Sequence, residues 1–357
     1  MAIYRTLGNA LVSQDEYRRL VTTEQSVATL TAGRELKIGD SVVSLAAIQQ
    51  GTAPFTPIGL NKPLTVQIRH VYTGRFPKRR RNMLVTSAMK SLAQFDAAPR
   101  AINFMTDPVA ARTGVSAPAA TDRGTPLVYY SPALTKGASV VTLEFGFDDF
   151  DPSFIEGVGS LLKGAAGIPA FVAASPYLIG AGSILKLAAG IAARFLEKGP
   201  VFKDTDPIDF VTPGSTLPDA GFRVMTETGF PHTVLATHAP DSGGILVDSQ
   251  GQPYRGDWPY VTISLDGAEV KEYAAFEPTQ ASAAILQDFF NIRDEQDAPL
   301  GAMLEGLKLY NDLKFRLEAD EVKKQLSALP PDSPEATRLQ ERYDALKKNI
   351  LEPALQP

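Results

Sequence analysis

Asp241-Ser242-Gly243-Gly244 spells most of a serine-nucleophile motif, and His70 lies upstream in an order that hydrolases use. In that chemistry a serine attacks a carbonyl, a histidine takes its proton, and backbone N–H groups hold the oxyanion. The residue two before this serine is Pro240, which has no N–H to give. His70 also falls within an alternating, strand-like run. A Pro/Gly turn leading into a strand at Ile245 accounts for the segment, so hydrolase activity at Ser242 is not expected. The remaining histidines, His232 and His238, stand six apart near Asp241, a spacing that matches no helical metal pair.

Two acidic groups flank a long uncharged stretch: Asp148, Asp149 and Asp151 before it, and Asp204, Asp206 and Asp209 after it. If that stretch leaves and re-enters a β domain at one edge, these carboxylates would converge on a hard cation such as calcium. A C2-like domain places aspartates in loops in this manner. Solvated loop ends, with Asp151 capping a helix, account for the same residues without a metal. Calcium is thus the one cofactor the pattern admits. Arg75 with Lys78, Arg79, Arg80 and Arg81 forms a compact basic run suited to phosphate or an anionic lipid surface. Apart from Phe76 it has no interleaved aromatics, and it lies in no basic domain, so nucleic acid is not an expected partner.

Composition narrows the classes further. The 357 residues include no cysteine, which removes disulfides, thiolate metal sites and a Cys nucleophile. A net charge of −5 does not suit a general polyanion binder. Hydrophobic residues at 44% and charged residues at 21% are those of a globular chain. The opening stretch lacks a basic region followed by an apolar core, so no secretory leader is read and a cytoplasmic location is expected. There is no phosphate-binding loop, dinucleotide fingerprint or His-Glu-x-x-His.

The elements that would position these residues are mostly strands. Residues 1–57 read as a small α-containing unit, with a capping box at Ser13-Gln14-Asp15-Glu16 and a second short helix over Ser41–Gln50. From Pro63 the period becomes two: Leu64, Val66, Ile68, His70 and Tyr72 alternate with polar residues. Short runs at Met83–Thr86, Ile102–Met105, Leu127–Tyr130 and Val141–Phe147 continue the pattern, and it resumes at 208–211, 222–225, 234–236, 245–247 and 260–265. Asp266-Gly267 is a tight-hairpin dipeptide. The expected fold is a β-rich α+β protein, an antiparallel β-sandwich over residues 58–297.

Residues 151–199 read as a helical hairpin inserted into that sandwich, with start signals at Asp151-Pro152 and Ser175-Pro176. Gly164 to Leu185 is uncharged and long enough to span a bilayer core, yet it holds Pro169, Pro176 and many small residues. Close packing against the sheet is the first reading, and membrane contact through 164–195 the second. Thr279 would cap a helix through Phe290. Residues 298–357 read as a second helical hairpin, charged and carrying one apolar stripe, suited to a protein partner or to self-association.

Three strings, Met83–Ser91, Pro126–Thr135 and Phe276–Ala284, resemble uncharacterised bacterial proteins that accompany caspase-like or trypsin-like proteases in conflict systems. The resemblance covers about residues 60 to 295, implies an effector, sensor or protease-substrate role, and transfers no catalytic residue. The expectation is a non-enzymatic interaction or effector protein. Its rival is a membrane-active effector whose hairpin 151–199 is released on activation.

Overall fold

In the computed structural model the described residues are 2–7, 10–22, 36–38, 41–43, 55–90, 100–117, 124–150, 152, 155–159, 170–172, 199–211, 219–273, 276 and 297–357. The strands are β1 (Ala2–Leu7), β2 (Ala10–Ser13), β3 (Leu36–Ile38), β4 (Ser41–Val43), β5 (Leu64–Tyr72), β6 (Asn82–Lys90), β7 (Arg100–Met105) and β8 (Gly114–Ser116). They continue as β9 (Leu127–Ser131), β10 (Ala138–Asp148), β11 (Ala170–Val172), β12 (Phe202–Asp209), β13 (Gly221–Thr226), β14 (Ala239–Pro240), β15 (Leu246–Val247) and β16 (Tyr260–Asp266). The α-helices are α1 (Gln14–Thr22), α2 (His232–Thr237), α3 (Asp297–Ser327) and α4 (Pro334–Lys348). This is the β-rich α+β class that the alternation predicts, and the paired strands are antiparallel.

Two sheets form the body. One runs β2-β1-β13-β16-β5, with β8 and β9 each pairing a different half of the far edge of β5. The other runs β11-β7-β6-β10-β12. Their inward residues make one core: Val66 and Ile68 of β5, Val85 of β6, Phe104 of β7, Leu143 and Phe145 of β10, and Ile263 of β16 are all at most 1% exposed. Alternation along each strand places them there, since every second side chain points to the same face. On the outer face of the larger sheet a second cluster forms around Tyr72, Tyr254, Tyr260 and Leu235. Tyr254 and Leu235 come from the excursion between β13 and β16.

The first strands are part of the large sheet rather than a unit apart: Ala2 to Arg5 pair with Thr226 to Arg223 of β13. The Ser13 half of the expected capping box appears, with the Glu16 N–H donating to Ser13 Oγ at 3.2 Å at the start of α1. Three local expectations are overturned. Ser41–Val43 is a strand paired with β3 and not the start of a helix, in keeping with the strand preference of its two valines. Residues 234–236 belong to the short helix α2, anchored by buried Leu235. Asp266-Gly267 makes no hairpin: the Asp266 carboxylate accepts the Thr56 and Ala268 N–H groups, and Gly267 N–H donates to the Thr56 carbonyl.

Most of the insertion, and the helix expected from Thr279, lie outside the described residues. Within it, 152 and 155–159 are helical, and Val158 is 1% exposed. Residues 170–172, between the two expected helices, form β11 and pair with Arg100–Ile102 at the edge of the smaller sheet. The two C-terminal helices stand where their apolar spacing predicts and share a small core of Ala319, Val322, Tyr343 and Leu346. Ser333 caps α4 by accepting the Ala336 N–H. Asn349 ties this hairpin to the body by donating to the Ala133 carbonyl at 3.3 Å.

Candidate functional site

The fold places the serine motif on the outer face of the larger sheet, in the loop joining β14 to β15. Asp241 Oδ1 accepts the N–H groups of Gly243 and Ile245, both at 2.9 Å, so this carboxylate oxygen shapes the turn. His70 does come near enough to feel the Asp241 charge. Yet it is buried, its Nδ1 has no hydrogen-bond partner, and burial pushes it down to about 4 against the pull of Asp241. A general base needs an orienting bond on one ring nitrogen and access on the other. His70 instead packs as a neutral ring, 5.8 Å from Tyr260.

The acidic groups are not brought together. In the β10–β12 register Asp204 lies opposite Leu143 and Asp206 opposite Val141, whereas Asp148 lies at the other end of β10. Five residues of strand separate Leu143 from Asp148, about 17 Å. Asp149 already meets cations, receiving Arg79 Nη2 and lying 3.6 Å from Arg81 Nε. Asp148 accepts the Asp149 N–H. Asp151 lies outside the described residues. Among the described residues no three His, Asp or Glu side chains are grouped to hold a metal ion.

The basic run is largely paired with neighbouring parts of the chain. Arg75 pairs with Glu227 at 2.9 Å and lies over the rings of Phe76 and Trp258. Arg80 donates to the Pro108 carbonyl, and Arg79 and Arg81 hold Asp149, which leaves Lys78 as the residue of the run with no contact described. No helix among the described residues is long and apolar enough to cross a membrane.

Two features that the motif reading missed carry more. The first is a polar seam between the sheets, where β1 and β13 approach β12 and α1. Arg5 and Arg223 are register partners on the inward faces of β1 and β13, each 2% exposed. Arg5 pairs with Asp219 at 2.9 Å and lies 3.5 Å over the Tyr17 ring, while Arg223 donates to the Asp219 and Phe222 carbonyls. Burial beside Arg5 lowers Arg223 from its ordinary value. Asp209 receives Gln14 at 3.1 Å and Arg18 at 2.8 Å, which docks α1 on the end of β12. Asp204 is wholly buried on the same strand. The sequence signal for this seam was the alternation of Ile3, Arg5 and Leu7, and of Phe202, Asp204, Asp206 and Ile208.

The second feature is a row of exposed apolar side chains on α3. Leu309 is 47% exposed, Tyr310 66%, Leu313 44% and Leu317 62%. Steps of one, three and four put them on one face of the helix. The opposite face packs on α4, and buried Asp312 accepts the Leu351 and Glu352 N–H groups, folding the C-terminal segment back along α3. The stripe expected on α4, Leu339, Tyr343, Leu346 and Ile350, turns inward, whereas α3 divides its apolar residues between the hairpin core and solvent.

Fold and sites together define an antiparallel β-sandwich with an appended helical hairpin and a buried ionisable seam. No known family, curated protein or solved structure matches the chain.

Proposed function

We propose that the protein is a non-enzymatic interaction or effector protein that takes a protein partner through its C-terminal hairpin. The observation that supports this reading is the exposed face of Leu309, Tyr310, Leu313 and Leu317 on α3. Apolar side chains scattered singly over a surface need no explanation, but a row of four on one helical face is the form of a helix-docking surface. A cytoplasmic site of action goes with this reading. The resemblance to companions of caspase-like or trypsin-like proteases makes a protease of a bacterial defence system the first partner to try.

The test is the triple substitution Tyr310→Ser, Leu313→Ser and Leu317→Ser, checked by circular dichroism for an intact fold. Light scattering then reads self-association, and binding to the co-expressed protease reads the partner. The expected result is loss of the larger species or of the complex. Unchanged mass and unchanged binding would remove the proposal.

The rival membrane-active reading requires the insertion to come away from the body, including β11 from β7. Liposome leakage measured before and after limited proteolysis separates the two, and leakage from the cleaved protein alone would favour the rival.

A further inference from the structure

Asp204 is 0% exposed on the inward face of β12, opposite Leu143, and neither of its carboxyl oxygens has a well-formed hydrogen bond, the Thr205 amide of its own strand being the near donor. The next inward residue, Asp206, is acidic too, and it accepts the Ile3 N–H where β1 runs on beyond its pairing with β2. The groups facing this pair come from several elements. α1 carries Asp15 near Asp206, and the Tyr4 hydroxyl of β1 feels the charge of both aspartates through space. From β10 the register partners are Leu143 and Val141, which carry no charge. Arg5, the nearest inward cation on β1, pairs with Asp219.

An ionised carboxylate taken out of water needs hydrogen bonds or a cation against it. Here the next group on the same face is a second carboxylate, so the closed arrangement suits a neutral Asp204. β12 is also an edge strand, laddered on one side to β10. It meets β1 through the Asp206–Ile3 bond and side-chain packing, and parting there leaves both sheets whole.

We propose that the seam between β1 and β12 is a proton-operated latch, closed while Asp204 is neutral and loosened when it ionises. Burial, with the Asp206 charge adding to it, pushes this carboxyl up to about 7, while the Thr205 amide pulls the other way. An aspartate in an unfolded chain titrates near ~3.9. The folded chain therefore holds its proton to higher pH, and stability from this group falls as pH rises from about 4 to about 7. Above that window the group is ionised in both states and adds no further slope.

Amide hydrogen exchange read by mass spectrometry tests the latch, with rates corrected for the intrinsic effect of pH. Between pH 5.5 and 8.5, protection of segments 2–7 and 202–209 is expected to fall about tenfold or more, as for a group passing through its titration. Segments 64–72 and 260–266 serve as the unchanged reference. Asp204→Asn is expected to abolish the fall. Equal protection at both pH values, or a fall that persists in Asp204→Asn, overturns the latch. Should the variant not fold, carboxyl-carbon NMR of the unaltered protein decides: an Asp204 midpoint at or above pH 6 supports the latch and one below it overturns it.

Discussion

The space between the two sheets is filled in two different ways. At its centre Val66, Ile68, Val85, Leu143, Phe145 and Ile263 pack without a polar atom among their side chains, and the Phe145 and Phe202 rings stack at 4.9 Å. Toward β1 and α1 the same layer holds Arg5, Arg223, Tyr17, Asp204, Asp209 and Asp219. The central region holds by area removed from water, a force without direction. The seam holds through ion pairs and hydrogen bonds that work in one geometry, and their strength depends on the charge state. One chain thus uses apolar burial to hold the sheets together and polar contacts to fix which edges meet.

The largest effect should come from the centre. Phe145→Ala is expected to cost about 3–5 kcal/mol in urea unfolding, from lost transfer energy and the cavity left behind. Since no ionisable group is involved, the loss should be equal at pH 5.5 and 8.5. A loss that changed with pH would mean that centre and seam are not separate. At the seam, Arg5→Ala should cost about 3 kcal/mol, because it takes the cation from Asp219 and the guanidinium from the Tyr17 ring. A cost below about 1 kcal/mol would place the pair with exposed salt bridges and erase the distinction.

How far each region was legible follows from the same contrast. The centre was readable because alternation in Leu64–Ile68 and Val141–Phe147 is the direct record of one buried face, although a bulge after Ile68 turns Val71 inward and sends His70 and Tyr72 to the outer face. β12 was misread because Asp204, Asp206 and Pro207 interrupt its apolar residues, and only the last part of it was expected as a strand. β1 was overlooked because Arg5 occupies an inward position that alternation alone would give to an apolar side chain. Buried charges look like loop residues in sequence, since their partners come from far along the chain: Asp219 is 214 residues from Arg5. The acidic groups beside the insertion were seen, but adjacency in sequence could not reveal that the strand register would hold them apart.

Smaller effects are expected on the outer face of the large sheet, where the excursion lies over the wall of that core. Gly244 and Gly251 both have positive φ, +86° and +76°. A Cβ on Gly244 would meet Arg69 Cβ at 2.8 Å, whereas one on Gly251 would meet nothing within 4 Å. Gly251→Ala should therefore cost only the left-handed backbone penalty, about 1 kcal/mol. Gly244→Ala should cost about 2–3 kcal/mol, since overpacking adds to the same penalty. Thermal unfolding of the two variants checks the order, and equal losses would show that contact with the sheet adds nothing.

The smallest effect belongs to the residue with the most suggestive sequence. Asp241-Ser242-Gly243-Gly244 has a twin seven residues on, Asp248-Ser249-Gln250-Gly251. In the first turn Asp241 Oδ1 accepts the amides of Gly243 and Ile245, and Gly244 N–H donates to the Asp241 carbonyl. In the second, Asp248 Oδ1 accepts those of Gln250 and Gln252, and Gly251 N–H donates to the Asp248 carbonyl. One backbone design is used twice, and only one copy spells a nucleophile motif. The Asp–Ser–x–Gly spacing is thus accounted for by turn geometry: an Asp to bond the amides and a Gly for the positive φ. Both serines are exposed at the same turn position. Ser242→Ala should change stability by less than about 0.5 kcal/mol, as surface substitutions do. A fluorophosphonate probe should label neither the parent protein nor this variant. Labelling of the parent that Ser242→Ala abolishes would reopen the hydrolase reading and give His70 a role beyond packing.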